Sequence, residues 1–450
     1  MPTDDLIVFV PGIMGTVLKR DNVTLWDTSI STLLRDLGKF TAFTEQLRLP
    51  EGLGDNAPGL PSALTVGPLV GGWHVWPGKW IGGGYREFEK WLCGRFPADG
   101  RVVSFGYDWR LSIRFTAGLL KEFTRKALDD WRRASGQPDA KVVLVCHSMG
   151  GLIARHYVNA LGDEQTTARI ITLGTPYTGS VNAVRSLSGS VPLVPERLTR
   201  TMLTFPSVRQ LLPTFRCVRT STGMEAIGAE GLPDITADMV MDAFKLRAEG
   251  APRPDGPPVH VLGGYRHSTL AGVHARPDRA LDFYNTWLEV DDGRTTEVEL
   301  GGDGTVPRFA AVPSEWSEDA AAVFRASRHS QLVNNDVLRE RIADTVDRLD
   351  PRQFLTPETV FGLDIPDVVR SGDPFEVRAL ADDPALRLTI AVSEPDGTPR
   401  RELSGAPVNP DGTGSYRAEI TLPTGVWQVA AVLSGTPPTR AGELVVATDR

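Results

Sequence analysis

The sequence predicts a mostly parallel β-sheet with helices on both faces, broken by a cap insertion and followed by a C-terminal β-sandwich. Three observations carry this fold class. Strand-like apolar runs and helix-period stretches alternate through the first three-quarters of the chain, the pattern of a sheet wound with helices. Within that alternation, one buried strand runs straight into a serine set among small residues and then into a helix. Past a proline-marked linker at 349–358, helical periodicity stops and short strands separated by turn residues take over.

Residues 6–10 read as the first buried strand, and Pro11-Gly12-Ile13-Met14-Gly15-Thr16 as the loop that follows it. Residues 20–95 interrupt the alternation. They hold Trp73, Trp76 and Trp80, which read either as a lipid-contacting aromatic patch or, more ordinarily, as packing beneath a long loop. The sheet resumes at 102–105, with a helix over about 117–134. The strand 142–147 stops at Ser148 and a helix over 151–158 follows at once. Residues 169–173 and 259–262 are further core strands. Between them, about 180–255 forms the cap or lid, where Met202, Leu203, Phe205, Leu211, Leu212 and Phe215 line an acyl groove or fill the cap's own core. Residues 295–299 alternate like a strand and lead into Gly302-Asp303-Gly304. A short apolar strand precedes His329, and a helix begins near Asn334. This first unit occupies 1–350. Strands at 375–380, 386–392, 416–422, 426–433 and 443–447, with turns at Asp396-Gly397 and Asp411-Gly412, predict an immunoglobulin-like β-sandwich over 361–450. That likeness rests on pattern alone, because no cysteine pair joins the strands.

A serine at a tight strand-to-helix turn has its Oγ exposed, and the helix N-terminus lies beside the charge that develops in acyl transfer. The usual pattern is G-x-S-x-G, and here Cys146 stands in place of the first glycine; it is small enough to clear the following helix. A serine nucleophile needs an acid and then a histidine, in that chain order. Asp303 is the acid of choice, held between glycines where the backbone turns sharply, whereas Asp291 and Asp292 adjoin a hairpin turn at Asp292-Gly293. Of the seven histidines only His329 follows Asp303. His147 adjoins the serine, where neighbouring side chains diverge. His156 lies in the next helix, His260 in a strand and His74 among tryptophans, while His267 and His274 fall in a loop before the acid. Two backbone N–H donors must face the oxyanion. Met149, after the nucleophile, supplies one, and Ile13, in the glycine-flanked loop after the first strand, supplies the other.

These residues resemble the lecithin:cholesterol acyltransferase family of α/β-hydrolases. The likeness is carried by Val10-Pro11-Gly12-Ile13-Met14-Gly15-Thr16, Tyr107-Asp108-Trp109-Arg110, His147-Ser148-Met149-Gly150-Gly151, Leu173-Gly174-Thr175-Pro176, Gly302-Asp303-Gly304-Thr305-Val306-Pro307 and His329. A segment from Phe205 to Pro213 also resembles part of the family's cap. The resemblance implies an α/β-hydrolase fold, Ser148 as nucleophile with Asp303 and His329 as its partners, and the Ile13 and Met149 amides as oxyanion hole. It implies acyl transfer from a glycerolipid, such as a phospholipid, to an alcohol or to water. A bacterial-type member with a C-terminal β domain is expected; the disulfide framework and signal peptide of the secreted animal members are missing, which tells against a secreted, lipoprotein-associated role and leaves the chemistry intact. Tyr107-Asp108-Trp109-Arg110 is expected to buttress the pocket floor.

Composition bounds the alternatives. The chain has 450 residues, 41% of them apolar, enough for a full α/β core and a smaller module. A net charge of −8 without a Lys/Arg block argues against nucleic acid as a partner and against electrostatic docking on anionic membranes, leaving transient membrane-surface contact through apolar residues. Three cysteines without C-x-x-C spacing give no metal site and fit a reducing compartment. No cofactor is expected. The first residues run into a strand without a basic leader, and no apolar run reaches the ~18 residues of a membrane span, so a cytoplasmic location is the default expectation. The competing readings are a soluble carboxylesterase on small esters and a non-catalytic scaffold presenting the β-sandwich. Oligomeric state leaves no mark on the sequence.

Overall fold

A computed structural model describes residues 4–21, 23–26, 46–50, 53, 55, 64–71, 74–76, 79–81, 84–191, 196–291, 294–315, 322–347, 361–366, 368–381, 388–393, 399–403, 415–433 and 439–449. The central sheet has six strands: β1 (Leu6–Val10), β2 (Val102–Ser104), β3 (Val142–His147), β4 (Thr167–Leu173), β5 (Val259–Gly264) and β6 (Ala322–Arg325). Their order is β6-β5-β4-β3-β1-β2, and every neighbouring pair is parallel. Parallel pairing needs a crossover between strands, and helices packed on both faces supply it.

Period-two alternation along the strands sorts their side chains between two cores. Leu6, Val8, Val10, Val142, Leu144, Cys146 and Ile170 face one core, with helices α2 (Ile113–Ser135) and α3 (Met149–Arg155). Ile7, Phe9, Val143, Val145, Ile171 and Leu173 face the other, with α1 (Tyr85–Arg95) and α4 (Asp336–Val346). Because both faces are buried, the strands read as unbroken apolar runs. Helix α2 begins earlier than its apolar pattern because Ser112 caps it, accepting from the Arg114 N–H, and it stops at Gly136 with φ +67°. Helix α3 is shorter than expected: at His156 the coil widens into a π-turn over His156–Ala160.

The stretch after the first strand forms a small antiparallel sheet of Thr16–Arg20, Val23–Trp26 and Leu64–Leu69. The tryptophan-rich segment supplies a hairpin, His74–Trp76 with Lys79–Ile81; Trp73 lies outside the described residues. The cap region holds helices Val181–Leu187, Glu196–Met202, Pro206–Arg209 and Ala237–Glu249. It also contributes a hairpin, Val218–Thr220 with Gly223–Glu225, that joins Gly272–Ala275 and Leu281–Tyr284 in one sheet. His274 is therefore on a strand and not in a loop.

Strand β7 (Phe361–Asp364) opens a three-stranded sheet with Phe375–Ala381 and Ser415–Ile420. A five-stranded sheet is built from Val368–Arg370, Thr439–Thr448, Gly425–Leu433, Leu388–Ser393 and Pro399–Leu403. Leu363, Val377, Ala379 and Tyr416 of the first share one buried cluster with Ile390, Val429, Ala431 and Val445 of the second. The two expected turns, Asp396-Gly397 and Asp411-Gly412, and the linker at 349–358 lie outside the described residues.

Candidate active site

Ser148 sits where β3 ends and α3 begins, with φ +54° and ψ −127°. A non-glycine residue held there costs on the order of 1–3 kcal/mol, and the surroundings must fix it. They do so through its main chain. The Ser148 N–H donates to the Leu173 carbonyl at 2.8 Å, and the Ser148 carbonyl accepts from Thr175 Oγ1 at 3.0 Å. Tight packing explains the small residue that follows two positions on: a Cβ at Gly150 would stand 2.4 Å from the Val10 carbonyl oxygen. The Cys146 side chain is buried in the same apolar cluster as Val10 and Met149. Burial pushes its thiol well above the usual range, so it stays protonated.

The structure brings Ser148, Asp303 and His329 together from the segments that follow β3, β5 and β6. His329 Nε2 lies 2.8 Å from Ser148 Oγ, and His329 Nδ1 lies 2.7 Å from Asp303 Oδ2. A carboxylate only accepts, so Nδ1 carries the proton and Nε2 is left to accept from the serine hydroxyl. Asp303 Oδ1 accepts the N–H groups of Thr305 and Val306 at 2.9 and 2.7 Å, and the His329 N–H donates to the Asp303 carbonyl at 2.8 Å. The acid is thus held on both oxygens and at its backbone, and it is 1% exposed. His329 opens a 3₁₀ turn, His329–Asn334, that leads into α4.

Ile13 lines a cleft beside Ser148, together with Met14, Pro176, Ala183, Met202, Leu211 and Val306. Met149 is the first residue of α3, so its N–H has no intrahelical acceptor. Of the six apolar cap residues expected at a groove, Met202 and Leu211 reach this cleft. Phe205 and Leu212 instead lie in the buried core, with Leu203 and Phe215 packed against it. The Tyr107-Asp108-Trp109-Arg110 stretch braces the loop carrying Ile13 from behind. Tyr107 Oη donates to the Pro11 carbonyl at 2.8 Å and Trp109 Nε1 to the Thr16 carbonyl at 3.2 Å. Asp108 and Arg110 form a buried ion pair at 2.7 Å.

Two residues that sequence reasoning passed over connect the loops around Ser148. His147 Nε2 is 2.8 Å from the His329 carbonyl, and His147 Nδ1 is 2.7 Å from Tyr85 Oη. The carbonyl fixes the proton on Nε2, so Nδ1 accepts from the Tyr85 hydroxyl. Tyr85 Oη in turn accepts the Gly12 N–H at 3.1 Å. This chain runs from the loop of Ile13 to the backbone of His329. The neighbouring side chains of His147 and Ser148 do diverge, but His147 diverges into this bridge. Tyr85 carried no sequence signal, standing within the 20–95 stretch that interrupts the alternation, and only the structure places it on α1. Tyr85→Phe removes the hydroxyl that both partners use, and we expect it to lower stability by about 1–3 kcal/mol, read from a urea denaturation curve.

His267 lies beside the acid, its N–H donating to the Gly302 carbonyl at 3.0 Å and its Nδ1 to the Leu363 carbonyl at 2.7 Å. Burial, with the Arg328 guanidinium nearby, pushes it down to about 3 from its ordinary 6.5. Burial, with Arg169 and Arg341, likewise pushes His260 down to about 4. Both stay neutral in the fold at a pH where the unfolded chain protonates them. The unfolded state therefore binds more protons below pH 6.5, and stability is complete above that value and falls as the pH drops toward 4. Melting temperatures across that window should show the decline, and His267→Asn should flatten it.

Among the described residues no group of three His, Cys, Asp or Glu side chains is placed to hold a metal ion, and no helix is long and apolar enough to cross a membrane.

The parallel six-stranded sheet, with Ser148 at the strand-to-helix turn, has the α/β-hydrolase fold. The family model for lecithin:cholesterol acyltransferase matches residues 85–227. That match covers less than half of the chain and supports ester hydrolysis or acyl transfer. No curated protein sequence matches the chain. Among solved structures, a Tle4-Tli4 complex is similar over 77% of this chain and 98% of that one, at 16% identity and a TM-score of 0.49. The mature lipase BlEst2 of Bacillus licheniformis is similar over 77% of this chain and 94% of its own, at 12% identity and a TM-score of 0.37. Phospholipase PlaB from Legionella pneumophila is similar over 83% of this chain and 89% of its own, at 12% identity and a TM-score of 0.31.

Proposed function

We propose that this chain is a serine-dependent lipid acyltransferase or lipase working through Ser148, His329 and Asp303. The observation that carries the reading is the continuous hydrogen-bonded line from Ser148 Oγ through His329 to Asp303, at 2.8 and 2.7 Å. His329 Nε2 takes the proton of Ser148 Oγ as that oxygen attacks an ester carbonyl. Asp303 holds the imidazolium that results. The Ile13 and Met149 amides bind the oxyanion, the alkoxide leaves with the proton from His329, and an acyl-Ser148 ester remains. An alcohol or water then attacks that ester, giving its proton to His329, and Ser148 is released. No cofactor takes part.

A lipid substrate is supported by the apolar cleft beside Ser148 and by the family match. Transient contact with a membrane surface is supported by the aromatic cluster of Phe215, Trp287 and Phe309, the last of them exposed and close in sequence to Thr305 and Val306 of the cleft. Residues 1–350 would form the hydrolase unit and 361–450 an immunoglobulin-like module. Three cysteines left as thiols support a cytoplasmic setting.

Phosphatidylcholine vesicles, incubated with the protein with and without a long-chain alcohol, test the proposal. Lysolipid together with a new alkyl ester or free fatty acid is the expected product set. Turnover of short p-nitrophenyl esters with no lysolipid would overturn the lipid reading in favour of a small-ester carboxylesterase.

A further inference from the structure

Strand β7 stands at the edge of its three-stranded sheet. An edge strand exposes unpaired carbonyls that must be satisfied from outside the sheet. Here the donors come from the loops that carry the acid and the base. His267 Nδ1 donates to the Leu363 carbonyl at 2.7 Å, and Arg328 Nη2 donates to the carbonyls of Leu363 and Ile365 at 3.3 Å each. A third tie runs through Arg378 on the neighbouring strand, which lies 3.1 Å from Asp364 and 3.7 Å from Glu299. Leu363 itself is fully buried in the core of the C-terminal sheets, so its carbonyl is a fixed point. The approach is close: a Cβ at Gly362 would lie 2.6 Å from the Arg266 carbonyl oxygen.

The donors are set directly against the reacting pair. His267 bridges to both Gly302 and Asp303 through its backbone. Its carbonyl accepts from Thr269 Oγ1 at 2.8 Å, and that oxygen accepts the Gly304 N–H at 2.8 Å, closing a frame around the acid. Arg328 is the residue before His329. A loop tied to a rigid sheet one residue from the base has little freedom to carry the imidazole away from Ser148.

We propose that the C-terminal sheets act as a positioning element for the hydrolase, with His267 and Arg328 as the positioning residues that fix Asp303 and His329 against strand β7. This rests on the reading of Ser148, His329 and Asp303 given above. Positioning acts on the chemical step, since a displacement of about 1 Å at a reacting group costs up to roughly 10²-fold in rate. It leaves the cleft, and hence ester binding, as it was.

The test uses the full chain. Turnover of a p-nitrophenyl ester, the rate of labelling by a long-chain fluorophosphonate and the melting temperature are measured for wild type, His267→Leu, His267→Asn and Arg328→Gln. We expect His267→Leu and Arg328→Gln to lower kcat and the labelling rate together by about 10-fold or more, with KM within about twofold of wild type. His267→Asn keeps a donor close to where Nδ1 stood and should retain kcat within about threefold. Wild-type kcat and labelling in both His267→Leu and Arg328→Gln would overturn the proposal, as would a loss confined to KM or to melting temperature. Should His267→Leu fail to fold, Arg328→Gln, at a partly exposed side chain, decides alone. A wild type that neither turns over ester nor takes the label would instead overturn the reading of Ser148 beneath it.

Discussion

Ser148→Ala is expected to lower ester turnover by on the order of 10⁴- to 10⁶-fold while leaving the fold intact. The substitution deletes one atom, Oγ, and keeps the Cβ. The strained turn at φ +54° is held by main-chain bonds to Leu173 and Thr175, neither of which involves Oγ. His329 loses one partner but keeps its bond to Asp303 at 2.7 Å. Intact mass after incubation with a long-chain fluorophosphonate reads the result directly. Wild type should gain a single adduct and the variant none, with matching circular dichroism spectra. An adduct on the variant would move the nucleophile to another residue.

Asp303→Asn should be nearly as damaging, about 10⁴-fold in kcat, for a reason of proton placement and not of shape. In wild type, Oδ1 accepts from the Thr305 and Val306 N–H groups, and Oδ2 faces His329 Nδ1. An asparagine can keep its carbonyl oxygen on the two backbone donors only by turning its NH₂ toward Nδ1. Two donors cannot face each other, so the imidazole adopts the tautomer with its proton on Nε2. That nitrogen then meets the Ser148 hydroxyl as a donor and cannot take its proton. Asp303→Ala makes the contrast: it also strips the acceptor from two buried N–H groups, and a stability loss of about 1–3 kcal/mol should accompany the loss of rate. Steady-state kinetics beside urea denaturation separate the two variants. Equal stability losses would show that the Asn carbonyl does not hold the backbone donors.

The sheet was legible because its strands bury both faces and so read as apolar runs, as at 6–10 and 142–147. Ser148, Asp303 and His329, chosen on local backbone demands and chain order, lie in one hydrogen-bonded line. What escaped the sequence was whatever depends on contact between distant segments. Tyr85 is 62 residues from His147, and nothing near either one announces their bond. His267 reads as a loop histidine until β7, 96 residues on, supplies its acceptor. The short strands 361–364 and 399–403 were missed for a related reason. The first is brief and the second is polar and opens on proline, so tertiary pairing and not local preference makes them strands.

The parallel order of the sheet has a further consequence, in time. Val10 and Cys146 are neighbours across two strands, and Ser148 and His329 are in contact across 181 positions of chain. Contacts of such sequence separation form slowly, and a chain emerging from the ribosome makes its early residues first. A nascent chain holds its serine long before it holds a base for it. The hydroxyl at Ser148 is then an ordinary alcohol, and it gains its hydrogen-bonded partner only when the segment that carries Asp303 and His329 has arrived.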